Sequence, residues 1–497
     1  MELEFEKRGI PYLKTLLQEV QNQEQTQELR LGDGMPDLGR VLGTWGQVIL
    51  RSKEWRGDRV SISGGVMVFV LYVPEDGSEP RTIESWIPFQ MKWDLPDGQH
   101  EGDIRVQCLL RFLDARVVSA RKIMLRCGIA ALGQAYRQEK AMVSTPGEVP
   151  EDIQLLKKRY PLRVPRAAGE KAFQLEEELS LPPSAADIQK LISYAMEPRL
   201  SECRMASGKL VFRGSGVMHL VYFSQEGKLE SLDLEVPFSQ LAEPEGELSK
   251  DARCDVRMGI TALELDPDPE GKLRLRAGLL AQYLVDDREM VELVEDAYSP
   301  HREVKLKSGE LEVPQILDQQ RVSVPVRQTI RQEGTKMADV TYLPDFPVQR
   351  RGEGIQLELP GQFQAIWYDK EGRLQSSTAR TEENWDMPGG EDIRVSATVL
   401  PGASPRAALD GGLELKGESV LDVTTGSRKG LPMVTGLTLG EERAREENRP
   451  SLILRRAGKA GLWNIAKSTG STVAAIQTAN ALEEEPTPER ILLIPVR

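Results

Sequence analysis

A repeat with an offset of 150 residues constrains this 497-residue chain more than any other feature. Glu28-Leu29-Arg30-Leu31 recurs as Glu178-Leu179-Ser180-Leu181, and Asp37 of "PDLGRVL" falls on Asp187 of "AADIQKLI". The register holds at Gly64 and Gly214, at Tyr72 and Tyr222, and where "RKIMLRCG" (121–128) meets "GKLRLRAG" (271–278). Between these points "WIPF" (86–89) faces "EVPF" (235–238), slipped by one residue. A third, more divergent copy follows. "FQAIWYDKEG" (363–372) matches "VFVLYVPEDG" (68–77), and "WDMPGGEDIRV" (385–395) matches "WDLPDG" (93–98) plus "DIRV" (103–106). This copy lacks the Pro-Phe element, and "GLELKG" (412–417) stands where the others have "KIMLRCG" and "KLRLRAG". A fixed period means that one folding unit is built several times.

Each copy reads as strands. "RVSIS", "KLVFR" and "IQLEL" alternate apolar and polar residues, as a strand with one buried face requires. An apolar run ending near Tyr, then "PEDG", "SQEG" or "DKEG", predicts a hairpin whose Gly takes positive φ. Gly64 and Gly214 are expected to mark a bend or bulge, and Pro88 and Pro237 strand starts or edges, where a missing N–H costs least. "PDLGRVLGTW" and "ADIQKLISYA" fit either one or two helical turns or the opening of a strand. Residues 12–28 have a helical composition, but the repeat suggests a strand there. Covering alternating strands takes a second sheet layer. The expected fold is therefore mainly β: tandem β-sandwich-like units over 1–145, 150–300 and 305–442, then a small α+β (βααβ) module over 450–497. Residues 142–152, 295–310 and 440–450 read as linkers.

Composition excludes several functions. With 64 basic and 77 acidic residues, net charge −13, and no long like-charge block, nucleic acid is not expected as a partner. The start, "MELEFEKRGI", is charged rather than leader-like, and the best apolar run (65–73) is far short of the roughly 20 residues of a membrane-spanning helix. A soluble cytosolic chain with no transmembrane segment is expected. Cys108, Cys127, Cys203 and Cys254 form no C-x-x-C pair, so neither a disulfide framework nor a zinc site is expected. His100, His219 and His301 lie near no second ligand or nucleophile in sequence, and His219 in "GVMHLVYF" reads as a strand histidine. No phosphate loop, G-x-S-x-G or H-E-x-x-H occurs. No enzyme activity, catalytic residue, cofactor or metal is expected.

The C-terminal stretch differs from the rest. "SLILR" (451–455) alternates like a short strand, and "GLWNIAKSTG" (461–470) puts Leu462, Ile465 and Ala466 on one helical face with Gly470 as stop. Ser471 or Thr472 can cap a second helix lined by Val473, Ile476 and Ala479, which Asn480 can end in the left-handed conformation. "RILLIPV" (490–496) closes the module as a strand.

In this order the stretch resembles the LysM domain, through Leu462, Trp463, Ile465, Ala466, Lys467, Asn480, Leu493, Ile494 and Pro495. The repeats resemble the SPOCS domains of clostridial spore proteins, through "PDLGRVL", the Gly-bounded strand ending in Tyr, the "IPF/VPF" element and "DAYSP" (296–300). Tandem SPOCS units followed by LysM resemble the SipL-like, stage VI sporulation protein D-like family of spore coat morphogenesis proteins. That resemblance implies a non-enzymatic scaffold of the mother-cell cytoplasm at the forespore surface and coat. Its LysM domain would dock on the coat base-layer ATPase, stage IV sporulation protein A, and the scaffold would also meet other coat proteins, with self-association left open.

Sugar-binding LysM domains hold N-acetylglucosamine chains between a Gly-Asp-Thr/Ser loop and the loop before the last strand. Here Gly458, Lys459, Ala460 and Gly461 replace the first loop, removing a helix cap and polar groups. In the second loop, Asn480, Ala481, Leu482, Glu483, Glu484 and Glu485 present three glutamates, which suit a basic protein patch better than an uncharged glycan. Trp463 is expected in the core with Leu462, Ile465, Ala466, Ile494 and Pro495, rather than as a sugar platform. The alternative is a LysM protein that binds peptidoglycan in the spore cortex or cell wall.

Overall fold

The computed structural model describes residues 2–95, 101–267, 272–409, 412–427, 429–442, 450–459 and 461–496. The alternating pattern becomes strand over most of this length, and the two helices are short and lie beyond residue 460. The mainly β architecture read from the sequence is the one observed. His100, Gly98 and Gly271, which figure in the repeat and histidine readings, lie outside the described residues.

After a three-residue β1 (Glu2–Glu4), a first set of strands comprises β2 (Glu6–Arg30), β3 (Leu38–Arg56), β4 (Arg59–Pro74), β5 (Arg81–Asp94), β6 (Asp103–Ser119) and β7 (Lys122–Thr145). The second comprises β8 (Gln154–Leu179), β9 (Ile188–Ala206), β10 (Lys209–Ser224), β11 (Leu229–Ala242), β12 (Arg253–Pro267) and β13 (Leu273–Tyr298). Both sets form two antiparallel three-stranded sheets in the same order: β2-β7-β6 with β3-β4-β5, and β8-β13-β12 with β9-β10-β11. Apolar faces of the paired sheets meet. Val60, Ile62, Val68 and Trp93 pack with Val106, Ile123, Leu125 and Ile129, and in the second set Phe212, Leu220 and Val236 pack with Leu275, Leu279 and Val285. The two stretches that fit helix or strand are strand from Leu38 and from Ile188 onward, and residues 12–28 are strand throughout.

The third set is more broken. It runs through β14 (Arg302–Leu311), β15 (Gln315–Ile330), β16 (Lys336–Pro344), β17 (Val348–Arg351), β18 (Ile355–Tyr368), β19 (Leu374–Met387), β20 (Ile393–Leu400), β21 (Arg406–Leu409), β22 (Leu413–Ser427) and β23 (Leu431–Glu442). β22 pairs with β15, β20 and β21, while β18 pairs with β16, β17 and β19. β23 lies outside those sheets, between β14 on one side and β1 on the other. Parts of the segments read as linkers are paired strand: β7 runs to Thr145, β13 to Tyr298, β14 spans Arg302–Leu311 and β23 runs to Glu442, whereas 146–153 are not strand and 443–449 lie outside the described residues. Their polar residues occupy the wet face, and Ile10, Val143, Val164, Leu293, Leu311 and Met433 gather beneath them.

Two glycine features have physical causes. Gly77, Gly227 and Gly372 end their hairpin turns at φ of 74°, 70° and 73°, a region costly to residues with a Cβ. Gly64 and Gly214 lie opposite register shifts, at Leu50/Ser52 in β3 and beside Leu200 in β9. A Cβ there would stand 2.1 Å from the Ile49 carbonyl oxygen and 2.0 Å from that of Arg199. Each is thus a bulge site with close backbone approach. Pro88 and Pro237 lie within β5 and β11, outer strands of their sheets, where proline is tolerated.

The three sets share a centre. Leu42, Trp45, Phe69 and Leu71 of the first pack with Ile192, Val221 and Leu229 of the second and Ala338 and Ile366 of the third, each nearly inaccessible to solvent.

Candidate functional site

The terminal module forms from β24 (Leu452–Arg456), α1 (Gly461–Thr469), α2 (Val473–Asn480) and β25 (Ile491–Pro495). Leu462, Ile465, Ala466, Ile476, Leu492 and Ile494 make its core. Thr472, not Ser471, caps α2, its hydroxyl accepting from the Ala475 N–H at 3.1 Å. Ser471 is buried instead, its hydroxyl donating to the Pro495 carbonyl.

The second helix ends one residue later than the sequence suggests. Asn480 is its last residue, and Ala481 takes the left-handed conformation at φ 48°. The Asn480 side chain accepts from the Leu493 N–H at 2.7 Å and donates to the Leu493 carbonyl at 2.6 Å. It thus closes the outer edge of β25 where a third strand would pair.

The two loops meet. Gly458, at φ 61°, donates its N–H to the Pro488 carbonyl at 2.9 Å. The Glu485 carboxylate accepts from the Leu462 N–H at 3.1 Å, so a side chain of the second loop supplies the cap that the first loop lacks. A groove of about 400 Å³ lies between them, lined by Gly458, Lys459, Gly461, Ile465, Glu485 and Pro488. Glu483 and Glu484 are exposed, and Leu482 turns back onto the core. Ala460 lies outside the described residues. In the closing strand Ile494 is buried and Pro495 pairs with Leu452.

Trp463 is half-buried, and its neighbours come from outside the module. Its ring meets Tyr298 edge-on at 4.8 Å between centroids, and its Nε1–H donates to Asp296 at 2.8 Å. Lys467 reaches the same carboxylate at 2.7 Å, and the Tyr298 hydroxyl donates to the Ser471 carbonyl at 3.0 Å. Burial holds the Tyr298 phenol up at about 12, so it remains a donor. Asp296 and Tyr298 belong to "DAYSP", the end of β13; the sequence singled out the motif but not its contacts.

At the shared centre His219 is more than a strand histidine. Its Nδ1 lies 2.7 Å from Asp233 and its Nε2 2.9 Å from Asp339, whose other oxygen accepts from the Trp45 indole at 2.8 Å. Burial opposes the charge, but the two carboxylates outweigh it and raise the imidazole to about 10. A fixed imidazolium therefore ties all three sets together. Sequence spacing held no signal for it, because the partners are 14 and 120 residues away.

Beside this cluster a cavity of about 730 Å³ opens between the three sets, reached by Gln107, Glu197, Arg257, Asp422 and the Cys203–Cys254 pair. Burial pushes the thiols of Cys108 and Cys127 up to about 12 and about 11, which makes them poor nucleophiles. Among the described residues no group of three or more His, Cys, Asp or Glu could hold a metal, and no helix is long and apolar enough to cross a membrane.

Residues 187–267 match the family model of the SipL, SPOCS domain. The matched stretch covers β9 to β12, each of which contributes residues to the lining of the cavity. Over this stretch the chain is similar to the SPOCS domain of SipL, a domain of sporulation-related proteins. No curated protein and no solved structure matches the chain.

Proposed function

We propose that this chain is a non-enzymatic spore coat morphogenetic scaffold in which all three strand sets are SPOCS units and the terminal module is a LysM domain. The SPOCS match over 187–267 carries the proposal, because strands with the same order and pairing occur 150 residues earlier. In this role the module docks on the base-layer ATPase, stage IV sporulation protein A, at the mother-cell face of the forespore. Linking several weak contacts in one chain raises effective concentration at that surface. The peptidoglycan alternative has the groove between the two loops in its favour, but the Glu485 carboxylate there is bound to the α1 backbone.

The test is forespore localisation in sporulating cells. Deleting 458–497 should disperse the protein through the mother cell, and unchanged capture at the forespore would sink the docking role.

A further inference from the structure

The second set carries two cysteines where its sheets meet along an edge. Cys203 lies on β9 and Cys254 on β12, the outer strands of the sheets β9-β10-β11 and β8-β13-β12. The Cys203 thiol reaches the Cys254 carbonyl oxygen at 3.7 Å and is also a hydrogen-bond partner of the Cys254 sulfur.

The repeat shows that this placement belongs to the fold. Lys53 and Ile104 stand 150 residues earlier, on β3 and β6, and the Lys53 ammonium donates to the Ile104 carbonyl. The same position of the same edge strand therefore reaches the same carbonyl in both sets. In the first set Lys53 also meets Glu170 and Gln282, so a charged group ties the edges together. In the second set the tie is a pair of thiols, which offer only weak hydrogen bonds while reduced.

Chemistry can reach this pair. Both cysteines are half-buried and line the cavity of about 730 Å³ between the three sets, whereas Cys127 is sealed in the core of the first set. Donation from Cys203 holds the Cys254 thiol below its ordinary value in spite of burial, which makes Cys254 the better thiolate.

We propose that Cys203 and Cys254 are an oxidation site at which a peroxide creates a disulfide that straps the two sheets of the second set together. The Cys254 thiolate attacks one peroxide oxygen and the O–O bond breaks. The departing hydroxide takes up the proton that Cys254 had released, leaving as water, and Cys254 becomes a sulfenic acid. The Cys203 sulfur then attacks the Cys254 sulfur. As the S–S bond forms, the S–O bond breaks and the hydroxyl leaves with the Cys203 proton as a second water. Two thiols lose two electrons in all, and one hydrogen peroxide gains them. A dithiol reductant reverses the bridge by exchange. Joining the two strands also constrains the unfolded chain, which favours the folded one. The site is independent of the docking role proposed above.

The test treats the reduced full chain with hydrogen peroxide, unfolds it, alkylates the remaining thiols and maps tryptic peptides by mass. Peptides 200–204 and 254–257 should appear joined, lighter than their sum by two hydrogen atoms, and should separate on dithiothreitol. Cys108 and Cys127 should be recovered alkylated. Joining should be roughly tenfold or more faster in the folded chain than in concentrated urea, because the fold holds the sulfurs together. The urea midpoint of the bridged chain should exceed that of the reduced chain, and dithiothreitol should remove the gain. In Cys203→Ser, a near-isosteric change at a half-buried site, dimedone should trap the Cys254 sulfenic acid. Joining that is equally fast in urea, linkage to Cys108 or Cys127, a disulfide dimer, an unchanged midpoint or no dimedone adduct would each overturn the proposal. Peptide mapping of the unaltered chain decides the matter even where the serine variant does not fold.

Discussion

The Trp463 indole donates to the Asp296 carboxylate across 167 residues of sequence, and Lys467 meets the same oxygen atoms. One carboxylate at the end of β13 therefore fixes how the terminal module sits on the β body. Asp296→Ala leaves an indole N–H and an ammonium without their acceptor, a change worth about 1–3 kcal/mol for charge-assisted bonds, reduced by partial exposure. Hydrogen exchange should quicken across 461–469 and around Tyr298, with the strands of the first set unaffected. Unchanged protection at α1 would show that the Tyr298 contacts hold the module alone.

His219 gives the centre a pH signature. Its folded value, about 10, lies above the ordinary 6.5, so its contribution to stability is complete below about pH 6.5 and is lost as pH rises through about 10. His219→Gln should cost about 3 kcal/mol near neutrality, because Asp339 is fully buried and loses its counter-charge. Melting temperatures of the two proteins should converge as pH rises. A constant gap would show that the imidazole does not carry this charge.

Gly214→Ala tests the bulge. With a Cβ only 2.0 Å from a backbone oxygen, β9 and β10 must part, and overpacking of this kind costs about 1–3 kcal/mol. The denaturation midpoint should fall accordingly, as it should for Gly64→Ala.

Glu485→Ala removes the acceptor for the Leu462 N–H and should cost the module about 0.5–2 kcal/mol, as loss of an N-terminal cap does. Glu483→Ala and Glu484→Ala should cost nothing measurable, since both side chains are exposed. Helical CD of the melting module distinguishes the three.

The repeat made the paired sheets legible, because alternation and turn chemistry are local and were written twice at one offset. The sheet of β1, β14 and β23 was not. "EVKLKSGE" alternates, but a half-wet strand with charges on one face looks like a polar linker until its partner is known. The helices of the module were legible from their spacing, yet Asn480 was misassigned by one position, because its side chain serves Leu493 and Ala481 takes the strained angle. Contacts between distant segments, Trp463 with Asp296 and His219 with Asp339, leave no local trace. The loss of a cap in the first loop was visible, but its replacement by Glu485 depends on how the second loop folds back.

The docking proposed for the terminal module can be decided by titrating purified stage IV sporulation protein A onto the full chain, and onto the chain lacking 458–497, with and without excess chitooligosaccharide. Binding should saturate, be undisturbed by the sugar and disappear with the module. Binding that persists without 458–497, or that the sugar competes away, would contradict the docking.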